Sequence, residues 1–306
     1  MRLIQFAWRA GVGAAVVLGM ARAAVAEPAP EPEPSPAGVR FLSAFAGTGR
    51  LGFFANARDD LQEERYVSEG AMELDFELVS RLERWAVRSR FLLQADLGTS
   101  VADNLPFSPK ETAYEINPYV EWTRGRWLAR FGWSHACQHL IYKDHEEPWY
   151  IAAGSNNVPP DVYWNRLHVG GGSREIRPEV LRRACFGEGA ARPRVVWYVE
   201  AGGYLRSFPG MDDDSLYGSN DWVADAAADL RWRLFAADRW VLFATSRTQA
   251  LLDTDDELTA RQRVGLESVF DSRGFGSSVY LAGHVVDEHP RDSKEELVEV
   301  GGVFYF

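Results

Sequence analysis

Residue types suited to nucleophilic chemistry lie close together near the middle of the sequence. His135 and Cys137 stand two positions apart, and Asn165 follows after a polar segment. An imidazole can take a proton from a thiol and a carboxamide can hold the imidazole in place, so the three can act as base, nucleophile and orienting group. This chemistry requires elements that bring the three side chains to one surface.

The segments around this group alternate apolar and polar residues with a period of two. Between residues 72 and 78 every second side chain is apolar, and those in between are all acidic. The alternation recurs near residues 84–94, 222–234 and 261–270, where the polar positions carry charges of both signs. A period of two predicts strands with two unlike faces. We interpret the chain as all-β, a transmembrane antiparallel up-and-down β-barrel with its apolar face on lipid and its charges in the lumen.

The alternating segments predict twelve strands, each long enough to span a bilayer when tilted. They lie near residues 40–56, 69–79, 83–96, 112–122, 125–137, 161–171, 193–206, 221–235, 238–247, 260–271, 275–287 and 296–306. Tight turns alternate along the chain with long polar segments, at residues 57–68, 97–111, 138–160, 207–220, 248–259 and 288–295. Short periplasmic turns and long outer loops are typical of such a barrel. The connection 172–192 does not fit, because it is long and falls on the periplasmic side.

The N-terminal region predicts export. Residues 1–26 begin with a basic part, continue as an apolar run and finish with Ala-Val-Ala, the pattern of a signal peptide cleaved after Ala26. A Pro/Glu-rich linker follows over residues 27–39, and residues 40–306 form the predicted barrel. We therefore predict a protein of the cell outer membrane.

The C-terminal strand and the net charge predict the partners of the protein. Glu299, Gly301, Phe304 and Phe306 form a polar-x-Gly-x-x-aromatic-x-aromatic ending, similar to the signal by which barrel-assembly machinery recognises outer-membrane proteins. The formal net charge of −11 argues against a nucleic-acid partner. We expect outer-membrane lipids and the assembly machinery as partners.

The alternation also predicts where the nucleophilic group lies on the barrel. On the fifth strand His135 and Cys137 share the parity of Trp133, which faces lipid, and on the sixth strand Asn165 has the outward parity. If Cys137 pairs with Tyr163 across the outer loop, His135 lies beside Asn165. The three polar groups are then predicted to cluster on the outer wall at the boundary between lipid and water, where polar groups are costly without partners.

Three segments of this region resemble the outer-membrane phospholipase A family. Residues 134–138 (Ser-His-Ala-Cys-Gln) resemble its His-x-Ser motif, residues 164–168 (Trp-Asn-Arg-Leu-His) its Trp-Asn-Arg-Leu-Tyr segment, and residues 110–115 (Lys-Glu-Thr-Ala-Tyr-Glu) its Arg-Glu-Thr-Asn-Tyr-Glu stretch. The resemblance implies a twelve-stranded outer-membrane barrel that hydrolyses phospholipid acyl esters, depends on calcium and is active as a homodimer. It implies His135 as the base, Cys137 at the nucleophile position and Asn165 as the orienting residue.

Departures from the family leave two function classes open. The resemblance is confined to about residues 110–170, the catalytic serine is replaced by Cys137, and the longer outer loop offers Asp144, Glu146 and Glu147 only as candidate calcium ligands. The first class is a barrel of the phospholipase type, either an active phospholipid acyl hydrolase or a relative that has lost this activity. The second is a non-enzymatic structural barrel or a narrow channel, because a barrel of about twelve strands with charged inward faces is largely filled by side chains.

Smaller expectations follow from the same strand order. Trp222 is predicted on the outward face, in an aromatic girdle. His168 and His284 are predicted in the lumen, paired with carboxylates. Cys137 and Cys185 are predicted at opposite ends of the barrel, too far apart for a disulfide.

Overall fold

The structure, a computed structural model, describes residues 38–57, 66–81, 84–100, 105–140, 161–187, 192–205, 218–219, 222–253, 255–272, 275–288 and 293–305. Outside these ranges lie the predicted signal peptide, residues 27–37 of the linker, Phe306, and the candidate calcium ligands Asp144, Glu146 and Glu147.

Within the described ranges the chain forms twelve long strands, one very short strand, a 3₁₀ turn and one helix. The strands are β1 Arg40–Ala55, β2 Ser68–Arg81, β3 Trp85–Ser100, β4 Leu105–Arg124, β5 Trp127–Leu140, β6 Asp161–Ser173, β7 Val195–Leu205, β8 Gly218–Ser219, β9 Trp222–Ala237, β10 Trp240–Asp253, β11 Leu258–Ser272, β12 Phe275–Asp287 and β13 Val298–Tyr305. The 3₁₀ turn covers Arg174–Ile176, and the helix α1 covers Pro178–Phe186.

The twelve long strands close into an antiparallel barrel, which confirms the predicted fold. Each pairs with the next long strand along the chain, and β1 pairs with β13 to close the sheet, with Gly52 opposite Gly301. The two-residue β8 adds a short parallel pairing to β6 at Val162 and Tyr163. Every predicted strand has a counterpart among the twelve.

Two of the six predicted long loops are mostly strand instead. The segment 97–111 belongs largely to β3 and β4, which end and begin at Ser100 and Leu105, and the segment 248–259 belongs largely to β10 and β11. Main-chain pairing continues as far as Ser100 with Leu105 in one hairpin and Leu252 with Leu258 in the other. A ladder of main-chain hydrogen bonds does not depend on a regular alternation of side chains. The prediction followed the alternation alone and so ended these strands too early.

The two faces of the barrel differ as predicted. On the outside, Phe131 is 60% exposed, and Val169, Val300 and Phe304 are exposed as well. On the inside, charged side chains pair across strands, as when Arg88 donates to Asp75 at 2.7 Å and to Glu77 at 3.2 Å. An apolar outer belt therefore surrounds an interior held together by ion pairs.

The prediction for Trp222 was wrong. A bulge opposite Leu252 and Asp253 inserts Val223 into the edge of β9, and the shift reverses the parity of the strand end. Val223 is exposed, while the Trp222 ring packs at 5.3 Å from Trp164 and at 5.5 Å from Tyr204, both on the inward face. Trp222 lies among inward-facing aromatic rings near the outer end of the lumen instead of joining an outward girdle.

Residues 174–187 of the long connection form the 3₁₀ turn and α1, which make a plug at the end of the barrel that carries the short turns. Pro178 starts α1 with a fixed φ and no N–H to satisfy, and Glu179 complements the helix dipole in the first turn. Leu181 and Cys185, four residues apart, share the buried face of the helix. They pack against inward side chains near the ends of β7, β10 and β11, namely Val196, Val241, Phe243 and Val269.

This helix is short and carries charged residues. No helix in the described ranges is both long enough and apolar enough to cross a membrane.

The two cysteines are both free, and they lie in unlike surroundings. Cys137 is partly exposed on β5, whereas Cys185 is fully buried under α1. Burial raises the pKa of the Cys185 thiol from 9.0 to about 11. At pH 8 its thiolate fraction is then roughly a hundredfold below that of an unperturbed thiol, and only the thiolate is reactive.

We expect maleimide at pH 8 to label one thiol in the folded protein and both thiols after unfolding. Mass spectrometry of the intact chain measures the count, and peptide mapping is expected to place the first label on Cys137. Cys137→Ser is the control and should leave the folded protein unlabelled. Rapid labelling of Cys185 in folded protein would contradict the buried position of α1.

Candidate functional site on the outer wall

The wall formed by β4, β5 and β6 carries the predicted nucleophilic group. Residue pairing sets His135 between Ile116 on β4 and Asn165 on β6, and sets Cys137 opposite Tyr163. This is the register predicted from the sequence, and it is confirmed. Alternate residues on β5 face the lumen, where Ser134 and Ala136 are buried, so His135 and Cys137 share the outward face.

His135 and Asn165 are joined by a hydrogen bond. The His135 Nδ1 lies 3.1 Å from the Asn165 Oδ1. An amide oxygen can only accept, so the hydrogen in this bond is on Nδ1, and in the neutral imidazole Nε2 keeps a free lone pair. Asn165 is 2% exposed, which makes a partner for its amide necessary. The arrangement fixes the His135 tautomer and leaves Nε2 available as a base.

Aromatic rings hold the plane of the His135 imidazole. The Trp133 ring stacks on it, with centroids 6.1 Å apart and an interplanar angle of 25°, and the Tyr163 ring lies at 6.4 Å. His139, four residues further along β5, contacts the Tyr114 ring at 5.8 Å instead. His135 and His139 therefore have separate environments.

A buried ion-pair network lies directly behind the site on the inner face of β6. Arg166 donates from Nη1 to Glu200 at 2.6 Å and from Nε to Asp225 at 2.7 Å. His168 lies 3.0 Å from the Asn117 Oδ1 and 3.3 Å from the Glu200 carboxylate, which confirms its predicted lumenal position. The network ties β6 to β4, β7 and β9, and so it fixes the strand that carries Asn165.

Arg166 has the same parity as His168 in the sequence, which indicates an inward side chain but does not identify its partners. The signal was present in the inward parity of Glu200 and Asp225, but which carboxylates meet a given arginine depends on strand register. Gly202 also contributes, because a Cβ at this position would collide with the Arg166 guanidinium.

His284 also lies in the lumen, as predicted. Its Nε2 is 3.5 Å from Glu299 and its Nδ1 is 3.9 Å from Asp287. It lies on β12, several strands away from His135, and the structure does not bring the two histidines together.

The described residues hold no group of three His, Cys, Asp or Glu side chains placed to bind a metal ion. The three carboxylates suggested for calcium belong to the segment between β5 and β6, which lies outside the described ranges. The calcium prediction therefore stays a prediction.

The arrangement has the parts for acyl transfer. A thiol, an imidazole with a free Nε2 and an orienting amide share one outward surface, in the order nucleophile, base and orienting group. The surrounding wall is apolar, with Ile116 and Leu167 exposed on either side of His135. An apolar exterior around a charged interior is the arrangement of transmembrane β-barrels. Fold and site together define a barrel of this class with a polar site on its outer wall.

Comparison with known proteins gives similarity in structure alone. No protein-family model matches the sequence, and no curated protein matches it. Among solved structures, the Salmonella typhi outer membrane phospholipase dimer with bound calcium is 11% identical, with a TM-score of 0.47 over 85% of this chain and 90% of that chain. The KdgM porin in complex with disordered oligogalacturonate is 7% identical, with a TM-score of 0.42 over 85% of this chain and 99% of that chain. The NanC porin is 8% identical, with a TM-score of 0.43 over 85% and 98% of the two chains.

Proposed function

We propose that this protein is an outer-membrane barrel that hydrolyses acyl esters of membrane lipids with Cys137, His135 and Asn165. The observation that carries the proposal is the hydrogen bond between His135 and Asn165 on the outward, apolar wall, with Cys137 two residues away on the same face. Polar groups in an apolar wall are costly unless they are paired, and here they are paired in the arrangement that ester cleavage at the lipid surface requires.

The apolar belt supports placement in a membrane. Large apolar side chains are exposed around the circumference of the barrel, on strands as far apart as β1, β5, β6, β12 and β13: Phe41, Phe131, Val169, Val279 and Phe304. A continuous apolar surface of this kind is unfavourable in water and matches a bilayer core. The predicted signal peptide directs such a barrel to the outer membrane, and its C-terminal strand to the assembly machinery.

The proposed reaction has two steps. In the first, Nε2 of His135 takes the Cys137 proton, and the thiolate attacks the ester carbonyl. The ester C–O bond breaks, the imidazolium proton goes to the departing lysophospholipid oxygen, and a thioester remains on Cys137. In the second, Nε2 takes a proton from water, the hydroxide attacks the thioester, and fatty acid leaves as the thiol regains the proton. Asn165 holds the ring in the required tautomer throughout.

The test is release of fatty acid from phospholipid in mixed micelles by the full chain, with and without calcium. We expect release by the wild type and its loss in both His135→Ala and Cys137→Ala, because each removes a reacting group. The matched control is His139→Ala, which removes an imidazole from the same strand and the same face and should leave the rate unchanged.

Several outcomes would decide against the proposal. One is that the wild type releases no fatty acid either with or without calcium. Another is that the wild type and His135→Ala release fatty acid at equal rates. Trapping supplies a second readout, because an acyl group on Cys137 is a thioester and should be removed by neutral hydroxylamine. Calcium stimulation and a homodimer in cross-linking would support the further features that the family resemblance implies.

A structural barrel is the second candidate, and the filled interior favours it. Glu121 is buried and accepts from Arg130 on the neighbouring strand at 3.0 Å and from Arg177 at 2.9 Å, so ion pairs tie the start of α1 to the inner wall. Such a barrel would stay folded and transport nothing. It predicts no fatty-acid release in any variant, which separates the two candidates in the same assay.

A further inference from the structure

One inner wall of the barrel places arginines directly against each other. Arg247 on β10 pairs in register with Arg263 on β11, and both face the lumen. Arg50 on β1 lines the same cavity. Like charges directly opposite each other across two strands are destabilising. An unliganded wall of this kind costs free energy, and a bound anion would offset that cost.

Most carboxylates nearby pair with arginines other than Arg247. Arg263 pairs with Glu299 at 2.9 Å, and Arg231 pairs with Glu267 at 2.9 Å. Arg50 pairs with Glu69. Among the residues that the structure describes, Arg247 has only a long ion pair, 3.9 Å to Asp229, and its side chain is 65% exposed although it lies on the inward face. Its guanidinium therefore has donors to spare, and they are accessible to solvent.

The space in front of Arg247 is a cavity of about 190 Å³. Its polar lining includes four arginines and two carboxylates: Arg50, Arg231, Arg247, Arg263, Asp229 and Glu267. Each carboxylate is paired with an arginine of the same lining, Asp229 with Arg247 and Glu267 with Arg231. A second cavity of about 190 Å³ continues past Arg247 toward Gln249 and Arg261. Both volumes exceed the roughly 10–15 Å³ that one water requires, so an oxyanion with its first waters can be accommodated.

We propose that this cavity binds a small oxyanion of the phosphate class, with Arg247 as its main contact and Arg263 and Arg50 as flanking cations. Guanidinium groups present paired N–H donors that match the oxygens of a phosphate group. A doubly charged anion fits best, because four arginines line the cavity against two carboxylates. The site is separate from the outer-wall group, and it exists whether or not the proposed hydrolysis does.

The test is isothermal titration calorimetry of the full chain in non-ionic detergent, in chloride buffer of constant ionic strength. The probes are inorganic phosphate and glycerol 3-phosphate, which distinguish free phosphate from a phosphate ester. We expect saturable binding of at least one probe. Arg247→Gln should weaken it roughly tenfold or more, since it removes a charge-assisted bidentate contact.

The matched control is Arg239→Gln, which removes the same charge from an exposed turn outside the lumen. It should bind as the wild type does. Folding gives a second readout, because Arg247→Gln relieves the repulsion from Arg263 and should raise the melting temperature without phosphate, while phosphate should no longer raise it further. Absence of saturable binding by the wild type, or equal weakening in both variants, would overturn the proposal.

Discussion

Replacing Arg166 by methionine is expected to lower the free energy of unfolding by about 3–5 kcal/mol. The Arg166 side chain is 9% exposed and bonds to Glu200 and Asp225 at 2.6 and 2.7 Å. The substitution keeps an apolar stem but leaves two carboxylates without their cation in a nearly dry interior. Urea unfolding in detergent micelles, followed by tryptophan fluorescence, measures the change.

Two further variants separate this explanation from a general loss of packing. Arg126→Met removes a 47% exposed arginine whose partner Glu175 lies at 3.6 Å, and it should cost about 0–1 kcal/mol. The triple variant Arg166→Met, Glu200→Gln, Asp225→Asn removes the charges together and should regain most of the lost stability. If the triple variant is no more stable than Arg166→Met, packing and not charge accounts for the loss.

The same substitution bears on the proposed site. Asn165 and Arg166 are neighbours on β6 and point to opposite faces, so the network anchors the strand that presents the amide to His135. A local shift of β6 in Arg166→Met would lengthen that hydrogen bond. Lipid hydrolysis should then fall even in protein that remains folded.

Strand parity allowed much of the fold and of the outer-wall group to be predicted. Apolar and charged residues alternate because each strand has one face on the belt and one in the lumen, so the sequence contains the orientation of nearly every strand residue. The register of His135 with Asn165 followed from that parity and one assumed pair, Cys137 with Tyr163. Parity failed at Trp222, since a single bulged residue reverses it without changing the composition of the strand.

Other features depend on contacts between distant parts of the chain. The apolar spacing of Leu181 and Cys185 after Pro178 is a helix signal, but the helix is short and its docking site exists only once β7, β10 and β11 have closed around it. The choice of Glu200 and Asp225 by Arg166 likewise requires the relative register of three strands. Such features follow from the closed barrel and not from any one segment.

Removing α1 is expected to turn a barrel that does not conduct into one that does. Cavities of about 320 Å³ lie on the two sides of the start of α1, and Arg177 and Glu179 line both of them. The plug therefore stands between them. Tyr198 pairs with Gly172, and the Trp197 N–H donates to the Ser173 hydroxyl, so the facing ends of β6 and β7 are close enough for a short Gly-Ser turn to replace residues 174–192.

In planar bilayers the deletion variant should show discrete current steps, whereas the wild type should show none. Leu181→Asp tests the same idea without shortening the chain, because a charge in the apolar cluster of α1 should expel the helix from the mouth. Leu181→Met keeps the apolar contact and should stay silent, as the matched control. If the deletion and Leu181→Asp are both folded and both silent, the ion pairs of the lumen close the barrel by themselves, and α1 has another role. Conduction in these variants alone would assign closure to one nine-residue helix and would explain why a barrel of this size carries a long connection on the side of its short turns.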